Sequence, residues 1–322
     1  MEAIIPPVER ELLRAELTPE RKARDTKKAG NEIYIFSAAE CPSLMREIGR
    51  LREVAFRGAG GGTGKELDID AEDLAEDGYY QLIVWDPAAE EIVGGYRFII
   101  CTDEYPRHLS TEHYFRFSDK FRRKYLPRTI ELGRSFIVNE YQRKPVSLML
   151  LWKGILNVLL RHDEFRYLMG PVTISGEFQN SSKLLIAAYL RNRHLDRENA
   201  RHIHPRTGIA VPARIDGTLI EGIDSIELIN KIVCDIEQNR FTIPILIRKY
   251  LQVGARVLGF NTDHAFCDGL DALILVDLAQ VPEKTILMLS KEMTDIDVIG
   301  RFSRYRPTIP ESSPPAEPTI PA

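Results

Sequence analysis

The stretch TIELGRSFIVNEYQRKPVSLMLLWKGI, from Thr129 to Ile155, constrains the fold of this chain more than any other. Its first part reads as a β-strand that carries an acid, a glycine and a base at its centre, and its last part as a strongly apolar helix. Glu131 and Arg134 are three positions apart, so a regular strand would turn them to opposite faces. A bulge at Gly133 would add one residue, bring both side chains to one face and splay the neighbouring strands. The apolar run from Val146 to Leu160 is interrupted by Lys153 and falls short of the ~20 residues needed to span a bilayer. It therefore reads as a buried or surface-lying helix.

Around this stretch the pattern predicts an α/β domain. NEIYIFSA, from Asn31, is the first strand, and a helix runs from Pro42 to Phe56. RGAGGGTGKELDIDAEDLAEDG has no periodic apolar face and reads as a long mobile loop with one acidic turn. YYQLIVWD and EIVGGYRFIIC, joined by PAAE, form an antiparallel hairpin in which Gly94-Gly95 suggests a bulge or bend. After the strand and helix of the opening stretch come a strand in FRYLMGPVTIS and a helix from about 180 to 193. Helical patterns at 223–237 and 243–252 follow, then the closing strands ARVLGF and LDALILVDL. Expected boundaries are an N-terminal extension over 1–30, one domain over 31–285 with a less regular insertion at about 195–222, and a disordered Pro-rich tail over 300–322.

Composition removes several function classes. A formal net charge of -4 and a pI near 6.0 argue against nucleic-acid binding over the whole surface. The four cysteines show no CxxC spacing, which predicts reduced thiols, a cytoplasmic setting and no metal site. The N-terminus does not read as a secretory signal. His202 and His204 in HIHP lack further ligands at metal spacing, Cys267 lacks a partner that would mark a thiol nucleophile, and GAGGGTG lacks the GK[ST] ending of a phosphate loop.

The ordered set of Arg52 and Phe56 in RLREVAFRG, Asp70 and Asp73 in DIDAED, QLIVWDPAAEEIVGGYRF with Arg97, and ELGRSFIV followed by LLWKGI resembles the GNAT acyltransferase superfamily. The likeness is to the branch shared by autoinducer synthases and the ornithine- and glycine-lipid N-acyltransferases, often labelled putative haemolysin. It covers about residues 32 to 175, and IPILIRKYLQVGARVLGF with DALILVDL extends it to about 280. It implies a mostly antiparallel central sheet flanked by helices, with two splayed strands that admit the arm of an acyl thioester. It also implies transfer of a 3-hydroxy fatty acyl group from acyl carrier protein to the amine of ornithine or glycine, giving a lyso-aminolipid.

Such a transfer needs a neutral amine, alignment with the carbonyl and stabilisation of an oxyanion. Glu131 is the candidate to accept the proton or orient the amine, with Arg134 fixing its charge state. Arg97 and Arg52 are candidates to hold the acceptor carboxylate, and Asp70 and Asp73 to meet those arginines or the acceptor ammonium. Phe56 and Phe136 complete the expected acceptor site. The loop NEYQRKPVS lacks the glycines of a CoA pyrophosphate loop, which favours an acidic carrier protein beside Arg143 and Lys144. Trp152 and its helix line an acyl tunnel or belong to plain core. The stretch PRHLSTEHYFRFSDKFRRKYLPR either docks the carrier, lies on an anionic membrane or is an ordinary exposed amphipathic helix. Two other readings stay open: a CoA-dependent acetyltransferase of the same fold, and a non-catalytic, haemolysin-like binder of membrane surfaces. An autoinducer synthase would be recognised by its dependence on S-adenosylmethionine.

Overall fold

A computed structural model of the chain describes residues 1–26, 30–102, 109–142, 144, 146–162, 164–212, 215, 220–264, 268–293 and 297–305. In the N-terminal half the elements are α1 (Arg10–Glu16), β1 (Lys22–Asp25), β2 (Glu32–Ser37), α2 (Pro42–Gly58), α3 (Ala71–Leu74), β3 (Tyr80–Asp86), β4 (Glu91–Ile100), β5 (Phe115–Phe117), α4 (Asp119–Lys124), β6 (Thr129–Ile137) and α5 (Asn139–Gln142). There follow α6 (Val146–Arg161), β7 (Tyr167–Ile174), α7 (Asn180–His194), α8 (Arg197–Ala200), β8 (Ile203–Pro205), α9 (Ile226–Ile236), α10 (Ile245–Gln252), β9 (Arg256–Asp263), β10 (Gly269–Asp277), α11 (Glu283–Ser290) and α12 (Val298–Ser303).

Eight strands make one sheet in the order β1-β2-β3-β4-β6-β7-β10-β9. Every neighbouring pair is antiparallel except β6 and β7. The mixed, mostly antiparallel sheet expected from the sequence is thus the observed one. Alternation along the strands sorts side chains between two faces. Leu82, Ile130, Leu132, Leu168 and Ile274 turn to one face, where α6 packs; its apolar residues run all round the helix, so it is buried rather than spanning anything. Gly154 lets α6 close on β3, since a β-carbon there would meet Leu82 Cδ2 at 2.8 Å. The other face carries two cores. Ile83, Trp85 and Phe136 pack under α2, while Ile99, Met169 and Leu273 pack under the segment around β5 and α4.

Several sequence expectations need correction. The N-terminal extension is part of the fold, because β1 adds to the sheet edge against β2. The acidic loop is not solvated throughout: Asp68 and Asp73 are buried. In the basic aromatic stretch, α4 is short and Phe115, Phe117 and Phe121 point into the core, while the exposed residues are polar or charged, among them Arg116, Lys120, Arg122, Arg123, Lys124 and Arg128. That stretch therefore presents no aromatic strip to a membrane. Residues 300–303, placed in the disordered tail by the sequence, belong to α12 and bury Phe302; Arg143, Cys267 and residues 306–322 lie outside the described residues. Among the described residues no helix is long and apolar enough to cross a membrane.

The feature that positions the site is a fork. β6 and β7 pair through Thr129–Tyr167, Ile130–Leu168 and Glu131–Met169 and then separate. At the fork Gly170 passes so close to β6 that a β-carbon on it would lie 2.1 Å from the Leu132 carbonyl oxygen. Gly170→Ala should cost ~1–3 kcal/mol through this overlap, measured as a lower urea midpoint at unchanged slope; an unchanged midpoint would mean that the approach is not needed.

Candidate active site

The strand face beneath α2 carries polar groups where a core would carry apolar ones: Gln81 on β3, Arg97 on β4 and Glu131 on β6. All are buried, so each must find partners within the protein. Arg52 of α2 is fully buried; it donates to Asp73 Oδ2 at 3.0 Å and to Gln81 Oε1 at 2.7 Å. Gln81 Nε2 donates to Asp73 Oδ1 at 3.0 Å, so one carboxylate ties α2 to β3. Asp70 caps α3 and shares reciprocal bonds with Asp73. Arg97 Nη1 lies 2.7 Å from both Asp70 oxygens and 3.2 Å from Asp73 Oδ2.

The bulge in β6 is present but displaced by one residue. Arg97 pairs with Gly133 and Gly95 with Phe136, so β6 holds one residue more than β4 over this interval. The residue with left-handed backbone is Arg134, at φ 47°, not Gly133. Gly133 serves a different purpose: its missing β-carbon would stand 3.4 Å from Arg97 Nε, so it leaves Arg97 room to cross the strand. The bulge turns Arg134 to the face of Arg97, where it lies 3.2 Å from Asp70 Oδ2 and 3.4 Å from Asp68 Oδ1. Arg134 does not pair with Glu131, contrary to the expectation that it fixes that group's charge.

Glu131 is fixed by three other donors. Its Oε1 accepts from the hydroxyls of Tyr79 and Ser110, both at 2.7 Å, and from the Thr111 amide at 3.2 Å. Its Oε2 is buried with no partner. Burial pushes this carboxyl above the ordinary range; the three hydrogen bonds and the Arg97 charge oppose that shift without cancelling it. Burial also raises Asp68, with Arg134 and Arg52 acting against it. Asp70 behaves oppositely: burial would raise it, but Arg97 and Arg134 hold it well below the usual carboxylate range. Three arginines thus face three aspartates, and Glu131 has no cation of its own.

The other expected residues are placed as follows. Arg52 is fully buried against Asp73 and Gln81, with its Nε unpartnered, and burial closes it to any substrate carboxylate. Phe136 is in the core under α2 and Phe56 packs against it half-buried, so neither joins the charged cluster. Lys144 is exposed, its Nζ 3.9 Å from the centre of the Tyr141 ring. Only Asp70 and Arg134 keep a sizeable exposure, with 25% and 21% of their side chains open. The glycine-rich loop is tied down by Glu53, which accepts from the Thr63 amide at 2.9 Å and the Gly64 amide at 2.8 Å.

Beyond the fork a cavity lies between Gly133–Ser135 of β6 and Gly170–Val172 of β7. Its walls come from both sheet faces: Gly133, Arg134 and Met169 on the charged side, and Leu168, Ile274 and Tyr250 on the α6 side. It shares Leu132, Leu168, Tyr250 and Val276 with a second cavity, lined almost wholly by apolar residues of the sheet and of α6, α10, α11 and α12. Trp152 lines this chamber and stacks on Tyr250 at 5.9 Å. The opening, a slot between β6 and β7, thus has Arg134 on one side and borders an apolar chamber on the other.

Sequence reasoning missed Tyr79, Ser110, Thr111, Gln81 and Asp68. Gln81, alone and polar in YYQLIVWD, carried a signal, as did the alternation of Leu67 and Ile69 with acids around Asp68. Ser110 and Thr111 carried none.

Residues 51–153 match the family described as Acetyltransferase (GNAT) domain. The chain is 37% identical to the glycine N(alpha)-acyltransferase of Bacteroides thetaiotaomicron, over 88% of each protein. It is 35% identical to that of Phocaeicola vulgatus, over 88% of this chain and 91% of the relative. Among solved structures, FeeM, an N-acyl amino acid synthase from uncultured soil microbes, covers 78% of this chain and 94% of its own at 9% identity and a TM-score of 0.43, too distant to bear on function.

Two stability tests follow from this geometry. Arg52→Leu takes a buried cation from the Asp73 carboxylate and the donor from Gln81 Oε1, and should cost ~3–5 kcal/mol, read from the urea midpoint; a cost below ~1 kcal/mol would show that the pair is not structural. On the same face Asp271 of β10 accepts from Thr173 at 2.6 Å, and burial pushes its carboxyl up to about 6. That lies above the ~3.9 of an unfolded chain, so the folded state holds the proton more tightly and stability falls as pH rises from about 4 through about 6. Asp271→Asn should gain on the order of 2 kcal/mol relative to the unmodified protein between about pH 4 and about pH 8. Equal differences at both pH values would contradict this.

Proposed function

The chain is an acyltransferase that belongs to the glycine N(alpha)-acyltransferase family of the GNAT superfamily, and on that premise we propose that it transfers a long-chain, 3-hydroxylated fatty acyl group from acyl carrier protein to the amine of glycine. What supports this reading is the opening in the sheet beyond the fork, which has Arg134 of the charged cluster on one side and borders an apolar chamber on the other. A short acetyl group would need no such chamber. The names of the two bacterial relatives favour glycine over ornithine as acceptor.

In this mechanism the thioester lies in the slot with its acyl chain in the chamber. The glycine carboxylate meets Arg134, the exposed cation of the cluster, while Asp70 keeps that guanidinium in place. The neutral amine attacks the thioester carbon, forming the C–N bond and a tetrahedral oxyanion. Backbone amides of the β6 bulge, which lie outside the regular ladder, are the donors nearest that oxygen. Collapse breaks the C–S bond and releases the carrier thiolate. The proton lost by the amine passes to Ser110 Oγ as the Ser110 proton moves to Glu131, whose raised pKa suits it to hold a proton after the transfer. No covalent enzyme intermediate is required.

The donor is a carrier protein because the loop after β6 has no glycines to wrap a pyrophosphate, and Lys144 stands exposed where an acidic partner would dock. The product, an N-acyl glycine, is a lyso-aminolipid.

Glu131→Gln keeps an acceptor oxygen for Tyr79, Ser110 and Thr111 but cannot take a proton. With glycine and 3-hydroxyacyl carrier protein, kcat should fall ~10²–10⁴-fold while the thermal midpoint moves little, and mass spectrometry should find N-acyl glycine only with the unmodified enzyme. Equal rates would remove Glu131 from the chemistry. A preference for acetyl-CoA would favour the short-chain alternative, and no product from any thioester would leave the membrane-surface binder.

A further inference from the structure

The apolar chamber continues past the sheet, and its wall farthest from the opening is built in part by α11 and α12, well beyond the residues that match the acetyltransferase description. Two cavities meet at Leu132, Leu168, Tyr250 and Val276, which marks the entrance. From there α6 lines the chamber from Trp152 to Leu159, seven residues or roughly 10 Å at 1.5 Å per residue. The strands run the same way. The slot opens at Gly170–Val172, whereas Leu278 stands at the start of β7, its amide donating to the Arg166 carbonyl at 3.0 Å. Arg301 donates to the carbonyls of His162 and Phe165 at 3.1 and 3.0 Å, so α12 is tied to the turn between α6 and β7. Its neighbour Phe302, 3% exposed, lines the chamber at that far end.

The closing helices are fastened by polar bonds at their rim. Lys153 Nζ reaches Glu292 at 2.9 Å, and the Tyr305 hydroxyl donates to the Phe165 carbonyl at 3.0 Å. Helices held on several sides do not swing away as a chain lengthens, so a growing acyl chain meets the Phe302 ring.

We propose that Phe302, at the end of the chamber farthest from the opening, limits the length of the acyl chain that the enzyme accepts. The inference deepens the acyltransferase reading above, but it requires only that a fatty chain fills the chamber. Binding can therefore be measured without turnover. Trp152 lines the chamber and Trp85 lies in the core on the opposite face, so tryptophan fluorescence of the full chain reports occupancy. Fatty acids of eight to eighteen carbons are titrated in steps. Affinity should rise about fourfold for each added methylene, the equivalent of ~0.8 kcal/mol, until it stops rising at a definite length. Phe302→Ala should move that break longer by about two carbons or more, and Phe302→Trp should move it shorter. Leu159→Phe, at the same end but on α6, should also shorten it and does not depend on α12 folding around an altered residue. A break that stays put in all three folded variants, or no dependence on length, overturns the proposal. A movable break without transfer to glycine from any thioester supports the length limit and sinks the transfer reading; transfer with a fixed break does the reverse.

Discussion

The bulge in β6 is the constraint on which the rest of the structure depends. Arg134 adopts a left-handed backbone, a conformation that costs a non-glycine residue roughly 1–2 kcal/mol. It persists because the side chain is held on both sides, by Asp68 and Asp70, and because the strands around it are paired. One extra residue does two things at once: it brings a cation to the face of Glu131, and it lets β6 leave β7 after only three pairs. Without it the sheet would close and no passage would join its two faces.

The ionic cluster explains how the passage keeps its shape. Buried ion pairs contribute little net stability over apolar packing, since desolvation offsets most of their attraction. What they provide here is position. Asp68, Asp70 and Asp73 come from a segment with little regular structure of its own, and the arginines of α2, β4 and β6 pin it across the sheet. Gly49 allows the close approach, because any β-carbon there would collide with Ile69 at 2.6 Å. With three cations matched by three aspartates, Glu131 is left to its hydroxyl and amide donors, which together with the Arg97 charge do not offset the burial that raises its pKa.

The parts of this arrangement legible in the sequence were those written in local periodicity. Glu131 and Arg134 broke the alternation of an otherwise regular strand, and the break was a real bulge. Its placement on Gly133 was wrong because a glycine has two uses, backbone freedom and absence of a β-carbon, and only the second is used here, for Arg97. The aromatic stretch from Phe115 to Phe121 read as a possible surface strip because its basic neighbours are exposed; the rings themselves turn inward, which only the strand partner at Ile203–Pro205 reveals. Ser110 and Thr111 reach Glu131 from some twenty residues away in the chain, and no spacing announces such a contact. The same holds for α11 and α12, whose role in closing the chamber depends on where α6 ends.

A reaction between a polar amino acid and a long acyl chain sets a problem of opposite solvents, and the sheet offers a physical answer. Charge on one face keeps a zwitterion solvated by fixed groups, while the other face is apolar throughout. The reacting atoms need only meet at the slot. Under the proposed mechanism this separation also protects the carboxylate: Glu131 is sealed from water, so a proton reaches it through the Tyr79 and Ser110 hydroxyls and not from solvent. A dry base with a raised pKa is a weak proton acceptor in the resting enzyme and becomes a useful one only when the cationic tetrahedral nitrogen forms beside it. The site is then inert toward hydrolysis of the thioester until an amine is bound, which is the property that a slot open to a labile donor most needs.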